Sequence, residues 1–137
     1  MKAYIVSLFA LALVACDASH RRVHLSDVAL SQRLIGAWSI DVTNRNGVHF
    51  IGVVTYRTNG VVLWHGSLTE TSGMRRDYDD SGVWRVQDAY LLTKVTNSSF
   101  RSLADEPEYR DEVVSAMDAD YTYRDDRGTL HTRRRKP

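Results

Sequence analysis

The sequence predicts an all-β domain: an antiparallel up-and-down meander of about eight strands, preceded by one short helix. Three observations predict it. From about residue 36 onward apolar positions alternate with polar ones, rich in Thr and aromatics, and the runs are broken by "NRNG", "TNG", "SG", "DA" and "DDRG". That is period-two patterning punctuated by turn chemistry. The chain holds only two prolines, so its strands run largely unbroken. No repeat or low-complexity tract interrupts the series.

The segment before the domain reads as an address. Lys2 supplies a positive start, Tyr4 to Leu13 form an uncharged apolar run, and small residues end in Ala15. This is the layout of a secretory signal peptide, too short for a spanning helix of about 20 residues. Leu13-Val14-Ala15-Cys16 resembles the lipobox of bacterial lipoproteins. The resemblance implies diacylglycerol transfer to the Cys16 sulfur, cleavage before Cys16 and acylation of the new N-terminus. Cys16 is the only cysteine of the chain, so on this reading it is an attachment point rather than a catalyst, and no internal disulfide supports the fold. An ordinary signal peptide with an incidental Cys is the alternative. In lipoproteins of this kind an acidic residue after the lipidated Cys, here Asp17, implies retention at the inner membrane facing the periplasm; the outer membrane is the alternative.

These readings divide the chain into a signal peptide at 1–15, a lipidated tether at 16–25 and a domain at 26–137. Eighteen basic residues stand against 17 acidic ones, a balance that argues against a nucleic-acid partner.

Within the domain, Ser26 followed by "DVALSQRLIG" predicts a helix with Ser26 as N-cap and Gly36 just past its end. Strands are expected at about 35–44, 48–57, 61–71, 74–87, 90–97, 111–117, 120–126 and 129–135. The fourth could instead split at Ser81-Gly82, giving nine. The first two hairpins fix their own register if each "x-x-N-G" is a type I turn with a left-handed Gly and a bulge. Asn44 then pairs with Val48, and Arg57 with Val61. Trp38, Ile40, Val42, Val48, Phe50, Val54, Tyr56, Val62, Trp64 and Leu68 share one face. His49, His65 and Ser67 fall on the other, with Ile51, Val53 and Leu63. A two-residue loop at Asn59-Gly60 would put His65 beside Val54 and turn Trp64 outward, so the bulged register is preferred. Gly52 and Gly66, at interior positions, suit a strand that must bend.

A short helix leading into "LIGAW", with Gly36-x-Trp38 opening the first strand, resembles the lipocalins and the wider calycin barrels. The likeness extends as a style through "SGVWRVQDAYL" and "YTYRDDRG" to the Arg-rich last strand. It implies a small calycin-like barrel in which an Arg of the final strand packs over the Trp of G-x-W. Pairing Asp125 with Thr129 places Tyr121, Tyr123, His131 and Arg133 on one face, which makes Arg133 the candidate for that role. The sequence departs at Ala89, where such a turn favours Gly; a left-handed Ala costs about 1 kcal/mol.

Little else carries chemistry. The five histidines show no metal-ligand spacing, and there is no Ser-His-Asp spacing or phosphate loop. Asp77-x-Asp79-x-Ser81-Gly82 with Asp88 superficially matches a calcium loop, but Trp84 and Arg85 and the strand-like flanks favour a polar hairpin. No cofactor and no enzymatic activity are expected. The candidate ligand-binding set is Trp38, Tyr56, Trp64, Trp84, Tyr90, Tyr121 and Tyr123, with His131 and Arg133 as polar anchors. A barrel simply filled by these side chains is the competing expectation. The connection 97–110 is longer than a hairpin needs, and either caps the barrel or forms an excursion. The two functional expectations are therefore a binder of a small apolar or amphipathic molecule and a module that docks a periplasmic protein through Ile51, Val53, Val61 and Leu63. A cavity of about 300 Å³ or more favours the first.

Overall fold

A computed structural model describes residues 25–137; the expected signal peptide and the expected tether up to residue 24, with Cys16, Asp17, His20 and His24, lie outside the described residues. One helix, α1 (Asp27–Leu34), precedes eight strands: β1 (Gly36–Thr43), β2 (His49–Tyr56), β3 (Val61–Thr69), β4 (Arg75–Gln87), β5 (Tyr90–Ser98), β6 (Tyr109–Ala116), β7 (Asp120–Arg124) and β8 (Leu130–Arg134). They form a single antiparallel sheet in sequence order that nearly closes into a barrel.

The turns behave as their residues dictate. The amides of Asn44, Arg57, Glu70 and Asp125 donate to the carbonyls of Val48, Val61, Met74 and Thr129, and Gly47, Gly60, Gly73 and Gly128 all have positive φ. Val54 therefore pairs with Trp64, and His65 faces outward beside Val53. One polar position departs from the expectation: Ser67 is buried although it lies on the outer face. Gly52 and Gly66 are direct partners across β2 and β3, and a Cβ on either would collide with the backbone of the other strand. β4 does not split at Ser81-Gly82. It continues through a bulge against β5 with Thr96 as the extra residue, so the strands number eight.

The Asp88-Ala89 turn is left-handed at both residues, φ 54° and 65°. This is the mirror-image two-residue turn that matches strand twist, adopted here without glycine. Helix α1 supports it from outside: the Asp27 carboxylate accepts from the amides of Asp88 at 2.8 Å and Ala89 at 3.0 Å. The same hydrogen bonds, Ala89's first, hold the Asp27 carboxyl below its ordinary range. Ser26 caps the helix through its side chain, as expected, and Leu30 and Leu34 turn into the barrel.

Those leucines plug one rim. There Trp38, Tyr56, Trp84, Tyr121 and Tyr123 pack edge to face or tilted in a single cluster with Val54, Val62 and Leu91. Their polar atoms find partners: Trp38 Nε1 donates to the Leu34 carbonyl, Trp84 Nε1 to the Arg57 carbonyl, and the Tyr56 and Tyr121 hydroxyls lie 3.1 Å apart.

The last strand corrects one expectation. Arg135, not Arg133, covers the indole of Trp38, its guanidinium 4.1 Å from the ring centroid. Arg135 also donates to the carbonyls of Ile35, Arg33 and Asp118. Gly36, φ 125°, is the residue this arrangement requires, because a Cβ there would strike the Arg135 guanidinium. Closure between β1 and β8 is brief: a bridge between Trp38 and Arg135, the Lys136 amide on the Ala37 carbonyl, and the Arg134 amide on Ser39 Oγ. Beyond Ser39 the two strands part.

Candidate functional site

The barrel is filled at the helix rim and hollow at the other. The hollow is a cavity of about 630 Å³, bounded by the far halves of β1 to β5 and by the β5–β6 connection. The helix accounts for the difference: Leu30 and Leu34 of α1 fill the near rim, whereas no helix among the described residues enters the far half, whose inner face presents Ile40, Val42, Leu68 and Val95 together with the rings of Phe50, Trp64 and Tyr78. Residues 99–108 fold over this rim instead of projecting from it. The Ser99 amide donates to the Asp79 carbonyl, the Phe100 ring meets Tyr78 edge-on, and Arg101 is held bidentate by Glu106 at 2.8 and 2.9 Å.

The nine residues expected to form a ligand site separate into groups. Trp64 and Arg133 line the main cavity. Tyr123, His131 and Arg133 border a smaller one of about 230 Å³, where β1 and β8 part. Trp38, Tyr56, Trp84 and Tyr121 are packed in the closed half, each less than a tenth exposed. Tyr90 is on the outer face, because Leu91 joins the core and strand side chains alternate. Arg110 stacks on it at 3.9 Å.

Charged side chains ring the cavity: Glu70, Arg76, Asp80, Arg101, Asp111 and Arg133. Arg133 reaches Tyr123, donating to its hydroxyl at 3.2 Å with the guanidinium 5.1 Å from the ring centroid. Its Nη1 is buried without a hydrogen bond, and so is Oδ1 of Asp80. Asp80 stands opposite Trp64 on the inner face, with Oδ2 4.0 Å from Arg101. Asp111 also lines the cavity; burial pushes its carboxyl up to about 6, against the pull of the Arg133 charge. Burial likewise raises the Tyr78 hydroxyl, which feels both Arg133 and Asp80.

Asp80, Tyr78, Phe100 and Arg101 are not among the residues the sequence singles out, and Asp111, which the sequence reads as part of a solvated acidic loop with Asp105, Glu106, Glu108 and Glu112, lies instead on β6 in the cavity lining. A signal for two of them is present: Asp80 shares the inward parity of Tyr78 and Trp84, and Asp111 that of Val113. A carboxylate in phase with core positions is the feature to notice.

Compared with known proteins, the chain matches no family model and no curated sequence.

Proposed function

We propose that this chain is a lipid-anchored envelope protein whose barrel binds a small apolar or amphipathic molecule. The observation that carries the binding reading is the cavity of about 630 Å³, whose lining combines apolar and aromatic side chains with several charged ones. It lies in the range in which small molecules are held, and exceeds the volume that separates a binder from a filled barrel. The lipobox-like Leu13 to Cys16 supports the anchor. The competing reading, docking of a periplasmic protein on the outer face through Ile51, Val53, Val61 and Leu63, draws on Ile51, 52% exposed, and on Val83, 46% exposed and paired with Val61; Val53, Val61 and Leu63 are themselves only partly exposed.

Native mass spectrometry of the full chain extracted from its own membrane tests the proposal. A bound small molecule should be released on collisional activation, and should be lost when Val95→Trp fills the cavity while the near-ultraviolet spectrum stays native. An adduct unchanged by that substitution, or no adduct from any membrane preparation, counts against the reading.

A further inference from the structure

The two rims of the barrel differ in what they show to solvent. Leu30 and Leu34 of α1 turn into the barrel, and at about 100° per residue Val28 lies on the opposite side of the helix. Among the described residues Val28, 69% exposed, and Met117, 59% exposed, are the most exposed large apolar side chains. Both stand on the helix rim. Met117 follows β6 at the turn where Arg33 donates to the Ala116 carbonyl and Arg135 to that of Asp118.

The cations of this rim lack acidic partners. Among the described residues no carboxylate comes within ion-pair distance of Arg33, Arg57, Arg134, Arg135 or Lys136, and Arg33 and Arg135 bond carbonyls instead. At the far rim Arg76, Arg101 and Arg127 are each held by a carboxylate, Arg45 and Arg75 not. The acids of the helix rim are Asp27, occupied by the Asp88 and Ala89 amides, the turn residues Asp88 and Asp118, and Asp120 opposite Arg134. The rim thus carries a small excess of positive charge. Exposed apolar side chains with unpaired cations beside them are what an interfacial surface presents to lipid headgroups.

We infer that the helix rim rests on the surface of the bilayer that holds the anchor, with Val28 and Met117 entering the headgroup layer and Arg33, Arg57 and Lys136 meeting its phosphates. Chain length favours this occupant over a protein. Leu25 packs against the core beside α1, and the stretch from Cys16 to Leu25 spans at most about 30 Å when fully extended. A lipidated Cys16 therefore keeps this rim near the bilayer. The far rim stands up to about 25 Å further off, the length of the eight-residue strand β1. The inference rests on the lipid-anchor reading and adds an orientation to it: the mouth of the cavity faces away from the lipid, and its occupant exchanges through water.

Two exposed methionines serve as natural reporters, Met117 on the helix rim and Met74 in the β3–β4 turn of the far rim. The full chain, its methionine methyls labelled with carbon-13, is extracted from its own membrane and placed in nanodiscs of anionic lipid that contain a gadolinium-chelating headgroup. Met74→Leu assigns the two signals. The Met117 methyl should relax several-fold faster than that of Met74. Val28→Glu combined with Lys136→Glu should bring the two rates together; both side chains are exposed, and a native near-ultraviolet spectrum checks that the fold is kept. The comparison of the two methyls on the unaltered chain needs no variant to fold. Equal rates, or faster relaxation of Met74, overturn the inference while leaving the anchor in place. A Met117 signal broadened to the same extent in nanodiscs without gadolinium also overturns it, because a co-purified protein then covers the rim. A chain that elutes apart from the nanodiscs removes the anchor reading, and the orientation with it.

Discussion

Arg135 lies over Trp38 and, from the same guanidinium, donates to three backbone carbonyls, those of Ile35, Arg33 and Asp118. One side chain thus covers the core indole, satisfies the C-terminal end of α1 and ties down the β6–β7 turn. Arg135→Ala should cost about 3 kcal/mol of stability, from a lost cation–π contact and charged hydrogen bonds. Arg135→Lys should recover little, because an ammonium cannot lie flat on the ring while serving three acceptors. Urea denaturation of the three proteins measures this. A lysine variant as stable as the original would show that charge alone matters here.

The register of β2 and β3 separates neighbours in sequence by their effect. Tyr56 is 3% exposed and sits in the aromatic cluster, so Tyr56→Ala should cost about 3–5 kcal/mol. His65 is exposed, and the Asp79 carboxylate beside it raises its pKa above the ordinary value. His65→Ala should change stability by less than about 0.5 kcal/mol. Denaturation midpoints of the pair decide it, and a large loss from His65→Ala would mean that the bulged turn at Asn59-Gly60 is misassigned.

Asp111 makes stability fall as pH rises. Its folded carboxyl titrates near 6 against an ordinary value of 3.8, so between these limits the folded chain holds a proton that the unfolded chain has lost. Above about pH 6 the domain contains an ionised carboxylate in an unfavourable site, at a cost of up to about 3 kcal/mol. Arg133 and His131 on β8 offset part of that, while Asp125 and Asp126 in the β7–β8 turn oppose it. Asp111→Asn should therefore stabilise at pH 7.5 and have little effect at pH 3.5. Parallel stability curves for the two proteins across this range would falsify the assignment.

Cys16→Ser should leave a precursor that is neither cleaved at residue 15 nor acylated. Labelling with radioactive palmitate and fractionating the envelope reads both outcomes. Normal processing and membrane association of the serine variant would exclude the anchor.

Much of the sheet was legible because turns act locally. "NRNG" and "TNG" each dictate how two strands meet, so the pairing of Val54 with Trp64 followed from four-residue segments. Closure did not follow, because no turn joins β8 to β1. Arg133 and Arg135 have the same parity, and a period-two pattern cannot say how far the last strand slides along the first. That slide placed Arg135 on Trp38 and left Arg133 inside. The aromatics face inward as expected, Tyr90 apart, but all except Trp64 crowd one rim. Which half is filled depends on where α1 docks, and its Asp27 reaches a turn 61 residues away.

The contact between Ile35 and Arg135 spans 100 residues, and this has a consequence for how the chain is made. Hairpins from β1 to β7 can form one after another as residues become available, each a local event. Until Arg135 arrives, however, the indole of Trp38 is uncovered and the end of α1 lacks its donors. Closing so long a loop adds only modestly to the entropy cost, but non-local contacts of this kind slow the acquisition of structure. A chain emerging N-terminus first therefore remains an open ribbon with a wet aromatic edge until the segment after β8 is available. Its native barrel is fastened only after β8 and Arg135 have emerged.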